Sequence, residues 1–160
     1  MTYDFRITAD DPATMYRDLA SALEGLVSGE TDAVANMANA AALIWETLPE
    51  LNWVGFYRNV EGELVLGPFQ GRTACIRIKF GEGVCGVAAQ TRQVQRVEDV
   101  NAFPGHIACD SASNSEIVVP LVRDGQLIGV LDIDSPRTGR FTEEDEAGCA
   151  RLGEILSRVL

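Results

Sequence analysis

The sequence has one histidine, His106, and no Cys-x-x-Cys pair among its four cysteines. Together these shortages exclude most mixed Cys/His zinc frameworks. Basic residues are scarce as well: 13 lysines and arginines stand against 24 aspartates and glutamates, for a formal net charge of −11. Nucleic acid and anionic lipid both call for basic patches, so neither is expected as a partner. No apolar run approaches the ~20 residues of a membrane helix. The opening segment MTYDFRITADDP lacks the basic and apolar regions of a secretory signal. The expected location is the cytoplasm, where cysteine pairs are more often catalytic or metal-binding than structural. Internal repeats, linkers and low-complexity stretches are missing too. A chain of 160 residues that is 46% hydrophobic then fits one domain with a sizeable core.

The hydrophobic pattern begins as helix and changes to strand. Asp10 or Asp11 can cap a first helix with Pro12 just inside its start. Met15, Tyr16, Leu19, Leu23, Leu26 and Val27 recur at helical spacing. Thr31 is a second candidate cap, for a helix reaching about Leu48. There Val34, Met37, Ala38, Ala41, Ile44, Trp45 and Leu48 form a broad apolar face, and Pro49 ends it. Strands are expected over 53–60 and 63–69 around an Glu61-Gly62 hairpin turn. Ile76, Ile78 and Phe80 alternate with Arg77 and Lys79, which places Cys75 on the polar side of that strand. A short helix over 87–91 and a strand over 95–100 follow. Residues 101–115 are rich in turn formers, and a loop of that length inside a compact domain is usually functional or disordered.

The next hairpin can be pinned by register. A two-residue Asp124-Gly125 turn would set Ile117 against Asp132 and mix the faces. A three-residue loop, Arg123-Asp124-Gly125, instead pairs Ile117 with Leu131 and Leu121 with Leu127. Glu116 then faces Asp132, with Asp134 as diagonal neighbour, and three carboxylates gather on one face. A last helix over 142–159 is capped by Thr142, with Asp145 three residues on. The expected fold class is α+β: a mainly antiparallel central sheet flanked by helices. Residues 1–50 supply the N-terminal helices, 51–135 the sheet with an inserted short helix and active-site loops, and 142–160 the C-terminal helix.

Three cysteines, Cys75, Cys85 and Cys109, sit among turn or polar residues in TACIRI, GEGVCGVAAQ and PGHIACDSASNSE. One thiol can attack a substrate and a second can close a disulfide on it, so the group points to thiol redox chemistry. The plainer reading of a free cysteine is a small buried hydrophobe. It suits Cys149, three residues from Leu152 on the last helix, and fits Cys85 as well as a redox role does; Cys75 is intermediate. It suits Cys109 poorly, because a polar loop has no need of a buried thiol. A nucleophilic thiol needs a lowered pKa, and backbone N–H groups around residues 108–111 could supply it. His106 is a candidate partner, though a lone loop histidine is more often incidental.

Clustered acids on a strand repel, which is tolerated most easily where a cation or a proton is held. The competing reading of Glu116, Asp132 and Asp134 is a charged, exposed sheet edge. The aromatic strand NWVGFY is usually core, yet Trp53 could wall a small apolar subsite. The glycine-rich GEGVCG lacks the Gly-Lys-Ser/Thr ending of a phosphate loop, and that reading is weak.

Taken together, NWVGFY at 52–57, GVCGVAAQ at 83–90, HIACDSASNSEIVVPL at 106–121, GVLDIDSP at 129–136 and FTEED at 141–145 resemble the free methionine-(R)-sulfoxide reductases, which are built on a GAF domain. The similarity runs over most of the chain, and the cysteine triplet is its specific part. Glu82 departs from the pattern, which leads one to expect a basic residue there. The resemblance implies a single GAF domain that reduces free L-methionine-(R)-sulfoxide to methionine. By position it implies Cys109 as nucleophile, Cys75 as main resolving cysteine and Cys85 as accessory thiol. Glu116, Asp132 and Asp134 would line the substrate pocket, with Trp53 and Tyr57 around the methyl end. No bound cofactor is implied; thioredoxin is the implied external reductant and a homodimer the implied assembly. Two other readings stand beside it: a small-ligand-binding GAF sensor module, which usually accompanies an output segment that this sequence lacks, and a thiol redox switch with no small-molecule substrate.

Overall fold

A computed structural model describes residues 6–160. Helix α1 (Pro12–Val27) starts as the sequence suggests, with the Asp11 carboxylate accepting from the Thr14 N–H at 2.9 Å and proline in its first turn. Helix α2 (Ala33–Thr47) is capped by Asp32 rather than Thr31, through the Ala35 N–H at 2.8 Å. Its buried stripe is narrower than expected. Asn36, Met37, Ala40, Ala41, Leu43 and Ile44 face inward, whereas Val34, Ala38 and Trp45 are exposed.

Strands β1 (Trp53–Val60) and β2 (Glu63–Gly71) form the expected hairpin. Glu61 and Gly62 both have positive φ, the geometry a two-residue turn requires and glycine accepts at little cost. Strand β3 (Arg77–Lys79) is only three residues long, and this corrects the placement of Cys75. Of the expected apolar alternation only Ile78 is buried; Ile76 is 70% exposed, while Cys75 packs against the apolar cluster under the sheet. Both residues precede the strand, so its alternation does not govern them.

Helix α3 (Gly83–Thr91) begins four residues earlier than the apolar pattern indicates and therefore carries Cys85 in its first turn. Strand β4 (Gln95–Val97) is short and gives way to a 3-10 turn, Val100–Ala102, then to the loop that bears Cys109. Strands β5 (Ser115–Arg123) and β6 (Gln126–Ser135) complete the sheet. Helix α4 (Glu143–Val159) opens on a capping box formed by Thr142 and Asp145.

The β5–β6 register differs from the expected one. The turn is the two-residue Asp124-Gly125, both residues at positive φ, with Arg123 opposite Gln126. The pairing then shifts from Val122↔Leu127 to Leu121↔Gly129, which leaves Ile128 as the extra residue of a bulge. That one residue restores the facing the tight turn would have lost. Ile117 pairs with Ile133, and Glu116 with Asp134 rather than with Asp132, which lies opposite Val118. Both registers have the same parity, so the three acids still share one face.

All paired strands are antiparallel, in the order β3-β2-β1-β6-β5-β4. Helices α1, α2 and α4 cover one face. Val54, Phe56, Ile117, Val119, Leu121, Leu131 and Ile133 point into that core. Alternate residues point the other way, toward α3 and the two cysteine-bearing segments, where Trp53, Tyr57, Val118 and Val130 meet Val84, Cys85 and Ala88. The fold is thus α+β with two cores on one sheet, and the chemistry-bearing residues lie on the second. Among the described residues no helix is long and apolar enough to cross a membrane.

Candidate active site

The pocket lies between the second sheet face, the start of α3 and the segments that carry Cys75 and Cys109. It opens to solvent at its mouth, and the empty space there, open solvent included, comes to about 480 Å³. Trp53, Tyr57, Cys85, Cys109, Glu116, Asp132 and Asp134 line it directly. Cys75 is joined to its wall by a disulfide to Cys109, with the two Cα atoms 5.3 Å apart. All eight candidate site residues therefore come together in one place.

The carboxylates are not an exposed edge. Strands β5 and β6 are interior to the sheet, and Glu116, Asp132 and Asp134 are only 7%, 5% and 9% exposed. Among the described lining residues there is no lysine or arginine to neutralise them. Burial, then the charges of Asp132 and Asp134, push Glu116 well above the ordinary carboxyl value. Burial, then the charges of Asp132 and Asp110, do the same to Asp134, against a smaller opposing effect of the Ser113 hydroxyl. Burial also raises Asp132, although contacts with Glu116 and Cys85 favour its charged form. Asp132 Oδ1 and Asp134 Oδ1 are buried without a hydrogen-bond partner. The cluster is therefore organised to hold a proton or to receive a cation.

The thiols differ in kind. Cys85 is fully buried in the first turn of α3, and its Sγ donates to Glu116 Oε1 at 3.8 Å. Burial, followed by the charges of Asp132, Glu116 and Asp134, pushes its thiol well up, so in this pocket it is a proton-bearing donor. Cys75 and Cys109 are oxidised to one another. Cys149 is outside the pocket, in the core between α1 and α4, as its spacing suggests.

The aromatic side chains hold one of the two cysteine segments through their polar tips. Trp53 Nε1–H donates to the Arg72 carbonyl at 3.1 Å, and the Tyr57 hydroxyl donates to the Cys75 carbonyl at 2.9 Å. The Trp53 ring stacks between Tyr57, with centroids 5.9 Å apart, and Phe69, at 5.2 Å. Gly55 makes room for it: a Cβ there would meet the Trp53 ring at 2.7 Å and run into Phe69.

Asn52 holds the other segment, a role with no local signal in the sequence. Its Nδ2 donates to Asp110 Oδ2 at 3.1 Å and to Ser113 Oγ at 2.9 Å, while its backbone N–H donates to the Asp134 carbonyl at 3.0 Å. It therefore ties the Cys109 loop to the strand that bears the acids. The contact spans 58 residues of sequence, beyond the reach of any local pattern. Ile107 also enters the pocket wall, packed over Gly83, where an added Cβ would meet it at 3.3 Å. His106 lines the mouth, and burial lowers it from its ordinary value, toward the neutral form. Glu82 is at the mouth too, at the N-cap position of α3, where its side chain makes no cap hydrogen bond.

Comparison with known proteins agrees with this architecture. A family model described as GAF domain matches residues 29–160. The free methionine-R-sulfoxide reductase of Escherichia coli (strain K12) is 57% identical over 145 residues, 91% of this chain and 88% of that protein. The enzyme of that name from Saccharomyces cerevisiae is 46% identical, over 84% of this chain and 79% of its own length. The X-ray structure of free methionine-R-sulfoxide reductase from Neisseria meningitidis, in complex with its substrate, superposes with a TM-score of 0.94 at 47% identity, covering 98% of this chain and 95% of that one. The chain belongs to the GAF-domain family and, within it, to the free methionine-R-sulfoxide reductases.

Proposed function

We propose that the protein reduces free L-methionine-(R)-sulfoxide to L-methionine, with Cys109 as the attacking thiol. The observation that carries this reading is the Cys75–Cys109 disulfide at the wall of a pocket floored by three buried carboxyls. A sulfoxide sulfur becomes electrophilic when its oxygen is protonated. Burial and mutual repulsion keep a proton within the Glu116, Asp132 and Asp134 cluster, which can therefore act as the acid. The Cys109 thiolate attacks sulfur, the S–O oxygen passes to Cys109, and methionine leaves with its sulfur reduced. Cys109 is then a sulfenic acid. The Cys75 thiol condenses with it, forming the disulfide and releasing water. An external dithiol, with thioredoxin as the proposed partner, restores both thiols by exchange and is itself oxidised.

The charge of the pocket supports selectivity for the free amino acid. A free substrate carries an ammonium group that a peptide-bound residue lacks, and buried carboxylates with no lysine or arginine beside them suit that group. Trp53 and Tyr57 supply apolar surface for the thioether end. The test is NADPH consumption coupled through thioredoxin and its reductase. Free methionine-(R)-sulfoxide is expected to turn over, and the N-acetyl, amide-blocked form to be a poor substrate. Absence of turnover with the free R-sulfoxide would sink the assignment.

A further inference from the structure

We propose that the pocket contains a thiophilic metal site, formed by Cys85 Sγ, Glu116 and Asp132, that takes one zinc(II)-class cation and thereby excludes substrate. One donor atom from each of the three residues lies within 4.8 Å of the other two, and all three side chains are buried. The Cys85 Sγ to Glu116 Oε1 separation is already 3.8 Å. Tetrahedral zinc, with bonds of ~2.3 Å to sulfur and ~2.0 Å to oxygen, sets its donors about 3.3–3.5 Å apart, so only small side-chain shifts are needed. A second observation points to the same space. Asp134 Oδ1, outside the trio, is buried, lines the same pocket and has no hydrogen-bond partner. Three protein donors match a zinc site that keeps one position open, and the Asp134 carboxylate lines the same pocket.

The donor set selects the kind of metal. Magnesium and calcium bind through oxygen alone and gain nothing from a thiol. A sulfur donor beside carboxylates favours zinc, and cobalt(II) as its spectroscopic substitute. Binding converts the Cys85 thiol to a thiolate and releases its proton to solvent, so no redox co-reactant is required. The cation would occupy the acids proposed to receive the substrate ammonium, which makes metal and substrate mutually exclusive. That exclusion rests on the reductase reading; the metal binding does not.

The disulfide form allows a clean test, because its free cysteines are Cys85 and Cys149, and Cys149 is sealed in the other core. Titration with cobalt(II) should produce a near-ultraviolet thiolate-to-cobalt band that saturates at equimolar metal. Cys149→Ser should keep the band and Cys85→Ser should lose it. Competition with a chromophoric chelator should show zinc affinity falling about 100-fold or more in Cys85→Ser and in Glu116→Gln, because loss of a ligand costs at least what loss of its supporting partner does. Near-ultraviolet circular dichroism confirms that each variant keeps its fold. A cobalt spectrum without the sulfur band, or zinc affinity unchanged in Cys85→Ser, would overturn the site. With pre-reduced enzyme and no chelating reductant, zinc should slow methionine release and excess sulfoxide should restore it. Zinc bound as described but without effect on release would overturn the exclusion. A protein that binds zinc through Cys85 yet never releases methionine would instead refute the reductase reading and leave the metal site standing.

Discussion

Glu116 carries the sharpest conflict between stability and chemistry. Its carboxyl is buried beside two other acids, and both burial and their charges raise its pKa. A carboxyl raised in the folded state contributes no penalty below its ordinary value of 4.5, where it is protonated folded or unfolded. As pH rises through the folded value, stability is lost, at about 1.4 kcal/mol for each unit of upward shift. Glu116→Gln should therefore melt above the parent protein at pH 8 and lose that advantage as the solution is acidified toward pH 4.5, while its rate of methionine release falls. A lower melting temperature at pH 8 in thermal scans would contradict the assigned protonation. Cys149 is the counterexample among the thiols. Burial pushes it up to about 12, partly offset by the Tyr16 hydroxyl 3.7 Å away. A thiol so rarely ionised is chemically idle. Cys149→Ser should leave steady-state turnover unchanged, and a large loss would mean that this core and the pocket communicate.

At the scale of elements, α3 is positioned by glycine. A Cβ on Gly86 would run into the Lys79 carbonyl oxygen, so the helix can lie this close to the end of β3 only without one. The contact also sets how deep Cys85 sits. Gly86→Ala should cost about 1–3 kcal/mol by overpacking and should weaken the Cys85–Glu116 contact. Chemical denaturation measures the first effect and thiol-reagent accessibility of Cys85 the second; a neutral substitution would show that α3 is free to move. Elements with strong local signals were legible in the sequence: a cap at Asp10 or Asp11, which the fold resolves to Asp11, the Thr142 cap and the Glu61-Gly62 hairpin. The facing of the three acids was legible too, because it depends on parity alone. The pairing itself was not. A tight turn followed by a bulge at Ile128 and a longer turn without one place the same residues on the same faces, and only the folded pairing separates them. The true start of helix α3 has no local mark, because its first turn is glycine, valine and cysteine with no capping side chain.

Across the whole molecule, one sheet serves two cores. The helical side, held together by α1, α2 and α4, supplies a rigid back for strands whose other face does the chemistry. What completes the pocket is not a strand but two irregular segments, each fastened to β1 or its leading residue: the Cys75 segment by Trp53 and Tyr57, and the Cys109 loop by Asn52. Such tertiary fastening joins residues far apart in sequence, which is why Asn52 gave no signal while its aromatic neighbours did. Asn52→Ala should cost about 1–3 kcal/mol, at about 0.5–1.5 for each lost hydrogen bond, and should slow closure of the Cys75–Cys109 disulfide more than it lowers the melting temperature. Quenched-flow trapping of free thiols checks this, and unchanged closure would mean that the loop holds itself.

In the proposed cycle Cys109 takes oxygen from a free sulfoxide and Cys75 resolves it. Its most direct test is a single turnover of pre-reduced protein with excess free methionine-(R)-sulfoxide and no added reductant, following methionine and the Cys75–Cys109 peptide pair together. The expected result is about one methionine per chain with matching disulfide, about one methionine and no such disulfide in Cys75→Ser, and none in Cys109→Ser. Methionine release by Cys109→Ser would contradict it.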